Sequence, residues 1–98
     1  MGNSIKTAQF LIDSRLADAA GGDADALYDL GVCYQTGTAG AVVDLIEAHK
    51  WFNLAAVRGL VAAQDARSEV AGDMTSRQIA AAQAAARAWM GQARMGMA

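Results

Sequence analysis

The chain has 98 residues, enough for one domain with a modest core. Its net charge is -2 and its basic residues do not cluster, which argues against a nucleic-acid partner. A single cysteine excludes an internal disulfide, and no window reaches the apolar length of a membrane span. Because the N-terminus also has no apolar run typical of a signal peptide, we expect a cytoplasmic protein that binds neither nucleic acid nor membrane.

The first two helices are predicted from apolar spacing and from their ends. Residues 4–20 should form the first helix, because apolar residues such as Ile12 and Leu16 recur at helical intervals and two glycines follow. Asp23 is placed to cap a second helix over residues 24–36. Apolar residues on two sides of this second helix predict that it packs against two neighbours.

The third helix, over residues 45–58, is predicted to begin with a capping box formed by Asp44 and Glu47. Glu47, Lys50 and Arg58 should lie on its solvent side. The apolar side chains expected to face inward are Leu45, Ala48, Trp51, Phe52 and Ala55.

A fourth helix is predicted over residues 61–71 and a fifth over residues 76–93. Thr75 and Gln78 have the spacing of a second capping box, at the start of the fifth helix. Residues 94–98 are expected to form a tail. The core stripe expected on the fifth helix is Ile79, Ala82, Ala86, Trp89 and Ala93.

No segment alternates apolar and polar residues over the length of a strand, so the predicted fold is all-α. Trp51 recurs as Trp89 with similarly spaced alanines around it, which indicates an internal repeat. We therefore expect one domain, an α-α superhelix that is a short solenoid of antiparallel helix pairs. It would consist of an N-terminal capping helix (1–22), a clear repeat (23–59) and a degenerate second repeat (60–93).

The clear repeat combines small residues, rings and glycines at particular positions. These residues are Ala26, Leu30, Gly31, Tyr34, Gly37, Gly40, Asp44, Ala48, Trp51, Phe52, Ala55, Ala56 and Gly59. In them the chain resembles the Sel-one-like repeat, a relative of the tetratricopeptide repeat, although Glu47 stands where a lysine is common. We expect Gly31 and the alanines to let two helices approach closely, while Trp51 and Phe52 fill the space between one helix pair and the next.

The resemblance implies a non-catalytic protein–protein interaction scaffold of a bacterial cytoplasm, with no cofactor and no metal. It also implies a concave groove lined by the first helix of each pair. The groove residues so implied are Asp25, Tyr28, Val32 and Gln35, with Asp65 and Glu69 as counterparts in the second repeat. Their charge predicts an acidic groove that binds a peptide or helix carrying basic residues. The alternative is that these side chains are merely solvated.

A second hypothesis is self-association. Solenoids usually contain at least three repeats, and this chain has about two. The fifth helix also carries a smooth face of alanines away from its core stripe, suited to close packing with a partner or a second copy. These alanines are Ala80, Ala81, Ala84, Ala85 and Ala88.

Catalysis has little support in the sequence. Cys33 and His49 are the only residues available for a Cys/His hydrolase, a remote alternative. Cys33 lies on an apolar stripe and should be buried, whereas His49 lies on the flank of the third helix and should be exposed. One histidine and one cysteine cannot supply the three or four ligands of a metal site.

Overall fold

Five helices joined by short connections make up the computed structural model, which describes the backbone of residues 3–97 and the side chains of residues 11–92. The helices are α1 (Asn3–Ala20), α2 (Ala24–Thr36), α3 (Leu45–Val57), α4 (Val61–Ala71) and α5 (Ser76–Met97). No strand occurs within the described backbone, so the all-α prediction is confirmed.

The predicted helix ends agree with the structure to within a residue, except at the end of α5. This helix continues to Met97, so the predicted tail is wrong for residues 94–97. Gly91 does not end the helix, since a helical glycine costs only about 1 kcal/mol relative to alanine, and the surrounding Ala, Gln, Arg and Met favour a helix. The side chain of Ala93, expected in the core stripe, lies outside the described side chains.

Two of the three predicted helix caps form as expected. The Asp23 side chain accepts hydrogen bonds from the backbone N–H groups of Asp25 (2.9 Å) and Ala26 (3.2 Å). Thr75 and Gln78 complete a reciprocal capping box: each side chain accepts from the other residue's N–H, at 2.8 and 3.1 Å. These short-range bonds fix where α2 and α5 begin.

The third cap forms only in part. Asp44 accepts from the N–H of Glu47 at 3.1 Å, but the Glu47 carboxylate turns away from the cap. It accepts instead from the indole N–H of Trp51 at 3.0 Å and pairs with Lys50 at 3.0 Å. Lys50 in turn lies 4.2 Å from the Trp51 ring centroid, so it is half-buried rather than fully on the solvent side as predicted. Arg58 is exposed as expected.

The helices α2 and α3 pack side by side and antiparallel. Gly22, before α2, lies against Arg58, after α3, whereas at the opposite end the N–H of Asp44 donates to the Tyr34 carbonyl at 2.9 Å. Between these ends, Gly31 lies against Phe52. The repeat alanines are buried as expected; they are Ala26, Ala48, Ala55 and Ala56.

Gly37 and Gly59 end α2 and α3 in backbone conformations that favour glycine, with φ of 72° and 96°. The N–H of Gly37 donates to the carbonyl of Cys33 at 2.8 Å, which closes the last turn of α2. These two positions therefore have a backbone reason to be glycine, independent of packing.

α3 is the central helix of the described structure. It packs against α2, α4 and α5, and α1 packs against α2. Trp51 is 2% exposed and meets the half-buried Trp89 of α5 edge to face, with ring centroids 4.9 Å apart. Among the described residues α4 and α5 do not pack closely on each other, so the second repeat differs from the antiparallel pair of the first.

Phe52 is fully buried and lies directly on the backbone of Gly31. A Cβ added at Gly31 would be 2.5 Å from Cδ1 and Cε1 of the ring, closer than van der Waals contact allows. Because Gly31 has no side chain, the ring of Phe52 fits within the α2–α3 pair. It does not fill the space between one helix pair and the next, as was expected from the sequence.

We expect Gly31→Ala to lower the free energy of unfolding by about 1–3 kcal/mol, because the added methyl overlaps Phe52. Helix propensity alone would raise the free energy of unfolding of the alanine variant by about 1 kcal/mol. A decrease in this free energy would therefore come from the packing against Phe52. The matched control is Gly91→Ala, where nothing lies within 4 Å and a gain of about 0.5–1 kcal/mol is expected. Urea denaturation followed by circular dichroism measures both. An equal increase in the free energy of unfolding of the two variants would contradict close packing of Phe52 on Gly31.

Candidate partner-binding surface

An apolar cluster joins α2, α3 and α4 beside the predicted groove. Its buried members are Ala48 and Phe52 of α3 and Val70 of α4, and half-buried side chains, including Tyr28 and Val32, pack on it. The half-buried side chains of α4 and the following turn are Ala66 and Met74. The structure therefore brings Tyr28 and Val32 to a surface that α4 shares.

We call this surface the α2–α4 face. Its apolar members are Tyr28 and Val32 of α2, Ala66 of α4, and Met74, and we include with them the predicted groove residues Asp25, Gln35, Asp65 and Glu69. Tyr28 lies with its ring centroid 5.4 Å from that of Phe52, at an interplanar angle of 49°. Tyr28 is thus both part of the packing around α3 and half-exposed on the surface.

The acidic residues of the predicted groove do not converge on one point. Asp65 and Glu69 are exposed on α4. Asp25 instead borders a pocket of about 310 Å³ between α1 and α2. This pocket is lined by Leu11, Ser14, Arg15, Asp18, Asp23, Asp25, Ala26 and Asp29. Asp25 therefore lies at the edge of the α2–α4 face, on an acidic pocket that Asp65 does not line.

Arg15 partly compensates the charge of that pocket. Its Nε lies 3.9 Å from a carboxylate oxygen of Asp29, and its Nη1 donates to the backbone carbonyl of Leu11 at 3.4 Å. Four aspartates and one arginine remain around the pocket, so its charge is negative. Asp25, predicted to line the groove, therefore shares this pocket with Arg15, which the sequence did not associate with it.

His49 is buried, at 3% exposure, and the prediction that it is exposed is wrong. α4 covers this flank of α3: Arg67 Nη1 donates to Asn53 Oδ1 at 2.6 Å, one turn beyond His49. Burial, and then the charge of Arg67, lower the pKa of His49 from its usual value. Because His49 and Asn53 are polar, the sequence predicts that this side of α3 faces solvent. The position of α4 makes it part of the α3–α4 interface instead.

Cys33 is buried, as expected. Within the part of the chain that the structure describes, no hydrogen bond joins Cys33 to His49, and no group of three His, Cys, Asp or Glu side chains could hold a metal ion. The pair therefore gives no geometric support to the hydrolase alternative, which requires a base within hydrogen-bond reach of the thiol.

A second pocket, of about 360 Å³, lies between α1 and the α2–α3 connection. Its lining residues are Ile12, Tyr34, Gly40, Ala41, Val42, Val43 and Asp44. Val42 and Val43 are 81% and 56% exposed. Burial, followed by the charges of Glu47 and Asp44, raises the pKa of the Tyr34 phenol, so the hydroxyl stays protonated.

The alanine face of α5 is exposed, with Ala85 half-buried at its edge. The exposed members are Ala80, Ala81, Ala84 and Ala88. Ala82 and Ala86, on the opposite side, are fully buried, as the core-stripe prediction requires.

No family model, curated protein or solved structure matches this chain. None of the helices in the described residues has both the length and the apolarity needed to cross a membrane.

The packing of Tyr28 predicts different effects for two half-buried residues of the α2–α4 face. Tyr28→Ala should lower the free energy of unfolding by about 1–2 kcal/mol, because the contact with Phe52 and the buried half of the ring are lost. Gln35→Ala, which removes a side chain outside both apolar clusters, should change it by less than about 0.5 kcal/mol. Thermal or urea unfolding compares them. Equal stability of the two variants would contradict a packing role for Tyr28.

Proposed function

We propose that this chain is a non-catalytic protein–protein interaction module of the Sel-one-like repeat type, which binds a basic peptide or helix on the α2–α4 face. The observation that carries the proposal is the placement of half-buried Tyr28 and Val32 beside Ala66 and Met74, with exposed Asp65 and Glu69 on the same helix as Ala66. We further propose a bacterial cytoplasm as its location, where its cysteine stays reduced.

The apolar and acidic parts of the face have different roles in this proposal. Tyr28 and Val32 offer apolar area that a partner side chain can cover, which supplies most of the binding free energy. Exposed ion pairs contribute only about 0.2–1 kcal/mol each, so Asp25, Asp65 and Glu69 chiefly select basic partners and speed association. A ligand should therefore be an amphipathic segment with apolar residues on one side and Lys or Arg beside them.

The test is selection of peptides from a random display library on the full chain, followed by affinity measurement at low salt. We expect the selected sequences to be enriched in Lys and Arg beside apolar residues. Asp65→Lys should weaken their binding about fivefold, the effect of losing an attraction and adding a repulsion of about 1 kcal/mol in total. Its unfolding temperature should not change, since Asp65 is exposed.

The matched control is Asp18→Lys, the same charge change at an exposed residue of α1. It should weaken binding much less than Asp65→Lys does. Equal weakening by the two variants would move the site to the acidic pocket between α1 and α2. A selection without basic enrichment would contradict the proposed partner chemistry.

The alternative function is self-association through α5. It is favoured by the exposed small side chains on this helix, because small residues allow two helices to approach closely. In the described residues, α5 packs closely on α3 alone, which leaves its alanine face uncovered.

If α5 mediates dimers, sedimentation equilibrium at micromolar concentration should detect them, and Ala84→Glu should shift the chain to monomer. A glutamate there places two charges in one close helix contact. Gln83→Glu adds the same charge at an exposed position outside the alanine face and should leave the dimer intact. A monomer at all concentrations in the unmodified chain would remove this alternative.

A further inference from the structure

His49 stands out as a buried polar group without a complete set of partners. It is 3% exposed, and its Nδ1 is buried with no hydrogen-bond partner. A neutral imidazole offers one donor and one acceptor, while a protonated ring needs two acceptors. The site therefore accommodates the neutral ring poorly and the protonated ring worse.

The charges around His49 also oppose protonation. From α4, Arg67 acts on the ring, held by its hydrogen bond to Asn53 at 2.6 Å. On α3 itself, Glu47 and Lys50 pair with each other. α2 and α5 pack on α3 through Phe52 and Trp51. Within residues 11–92, the charged side chains of these two helices are exposed; they are Asp25, Asp29, Arg77 and Arg87. In the described part of the chain, Arg67 is the one charge that acts on the ring, and it is of the same sign as the imidazolium.

We propose that His49 makes the α3–α4 interface a proton-sensitive joint, in which α4 separates from α3 on acidification while α2 and α3 remain packed. A proton on the buried ring adds a second positive charge to that of Arg67 at the interface. Separation of α4 removes Arg67 and lets water reach the ring. The α2–α3 contact is Phe52 on Gly31, which carries no titrating group.

The direction of the pH effect follows from linkage. Burial and Arg67 lower the pKa of His49 in the closed form, so the open form takes up the proton more readily. The stability of the joint is fully present above the ordinary histidine pKa of about 6.5 and is lost as the pH falls below it, toward the lower pKa of the closed form. One proton can raise the opening constant by at most about tenfold per pH unit in that range.

Residue-resolved hydrogen exchange on the full chain at pH 7.5 and 5.5, corrected for intrinsic rates, tests the joint. We expect the opening constants of α4 amides, such as Arg67 and Val70, to exceed those of Leu30 and Cys33 in α2 at both pH values. Those of α4 should also rise about tenfold between pH 7.5 and 5.5. Equal opening constants in α4 and α2 would mean that α4 opens only when the whole chain unfolds, and would overturn the proposal.

Two variants identify the titrating group. His49→Gln keeps a polar side chain without a titrating proton, and His49→Leu fills the site with an apolar side chain, so at least one should fold. In each folded variant the α4 opening constants should be the same at both pH values. A tenfold rise that persists in these variants, or no rise in the unmodified chain, would contradict the role of His49. None of these measurements uses a ligand, so they do not depend on the proposed function.

Discussion

The contact on which the rest of the structure depends is that of Phe52 with Gly31. A buried ring on a bare backbone fixes how closely α2 and α3 approach and at which residue they meet, because Gly31 is the one glycine in α2. Trp51, the next residue back along α3, points about 100° away around the helix and meets Trp89 of α5. Phe52 thus packs against α2 and Trp51 packs against α5. Because both rings belong to α3, this helix lies at the centre of the fold.

A fold arranged around α3 leaves α4 less firmly held than α2. α2 meets α3 along much of its length, through a fully buried ring and with a backbone hydrogen bond at the Asp44 end. α4 contributes two buried side chains, Ala63 and Val70, and otherwise meets α3 partly through polar groups. Because the α2–α4 face needs α4 in place, any change that loosens α4 also changes that surface. The integrity of the α2–α4 face therefore depends on the local stability of α4.

Local patterns in the sequence predict local structure well here. The caps at Asp23 and Thr75, the helix ends other than that of α5, and the need for glycine at position 31 all follow from residues within a few positions of each other or from one specific repeat pattern. The failures at Glu47 and His49 have two different causes. Glu47 has a competing donor one turn ahead, so two local interactions compete for its carboxylate and the sequence alone does not say which one forms. His49 is covered by a helix whose position depends on packing elsewhere, which the local sequence does not contain.

The α2–α4 face combines predictable and unpredictable parts in the same way. The resemblance assigned Tyr28 and Val32 to one face of α2, and both side chains pack on one apolar cluster because residues four positions apart share a side of a helix. It could not predict that Asp25, at the edge of the same stripe, belongs equally to a pocket with α1. Charge acts over several ångströms, so the partner of a carboxylate depends on every nearby helix. The apolar residues of this surface are therefore fixed by the packing of α2, α3 and α4, whereas the electrostatic surroundings of its carboxylates depend on α1 as well.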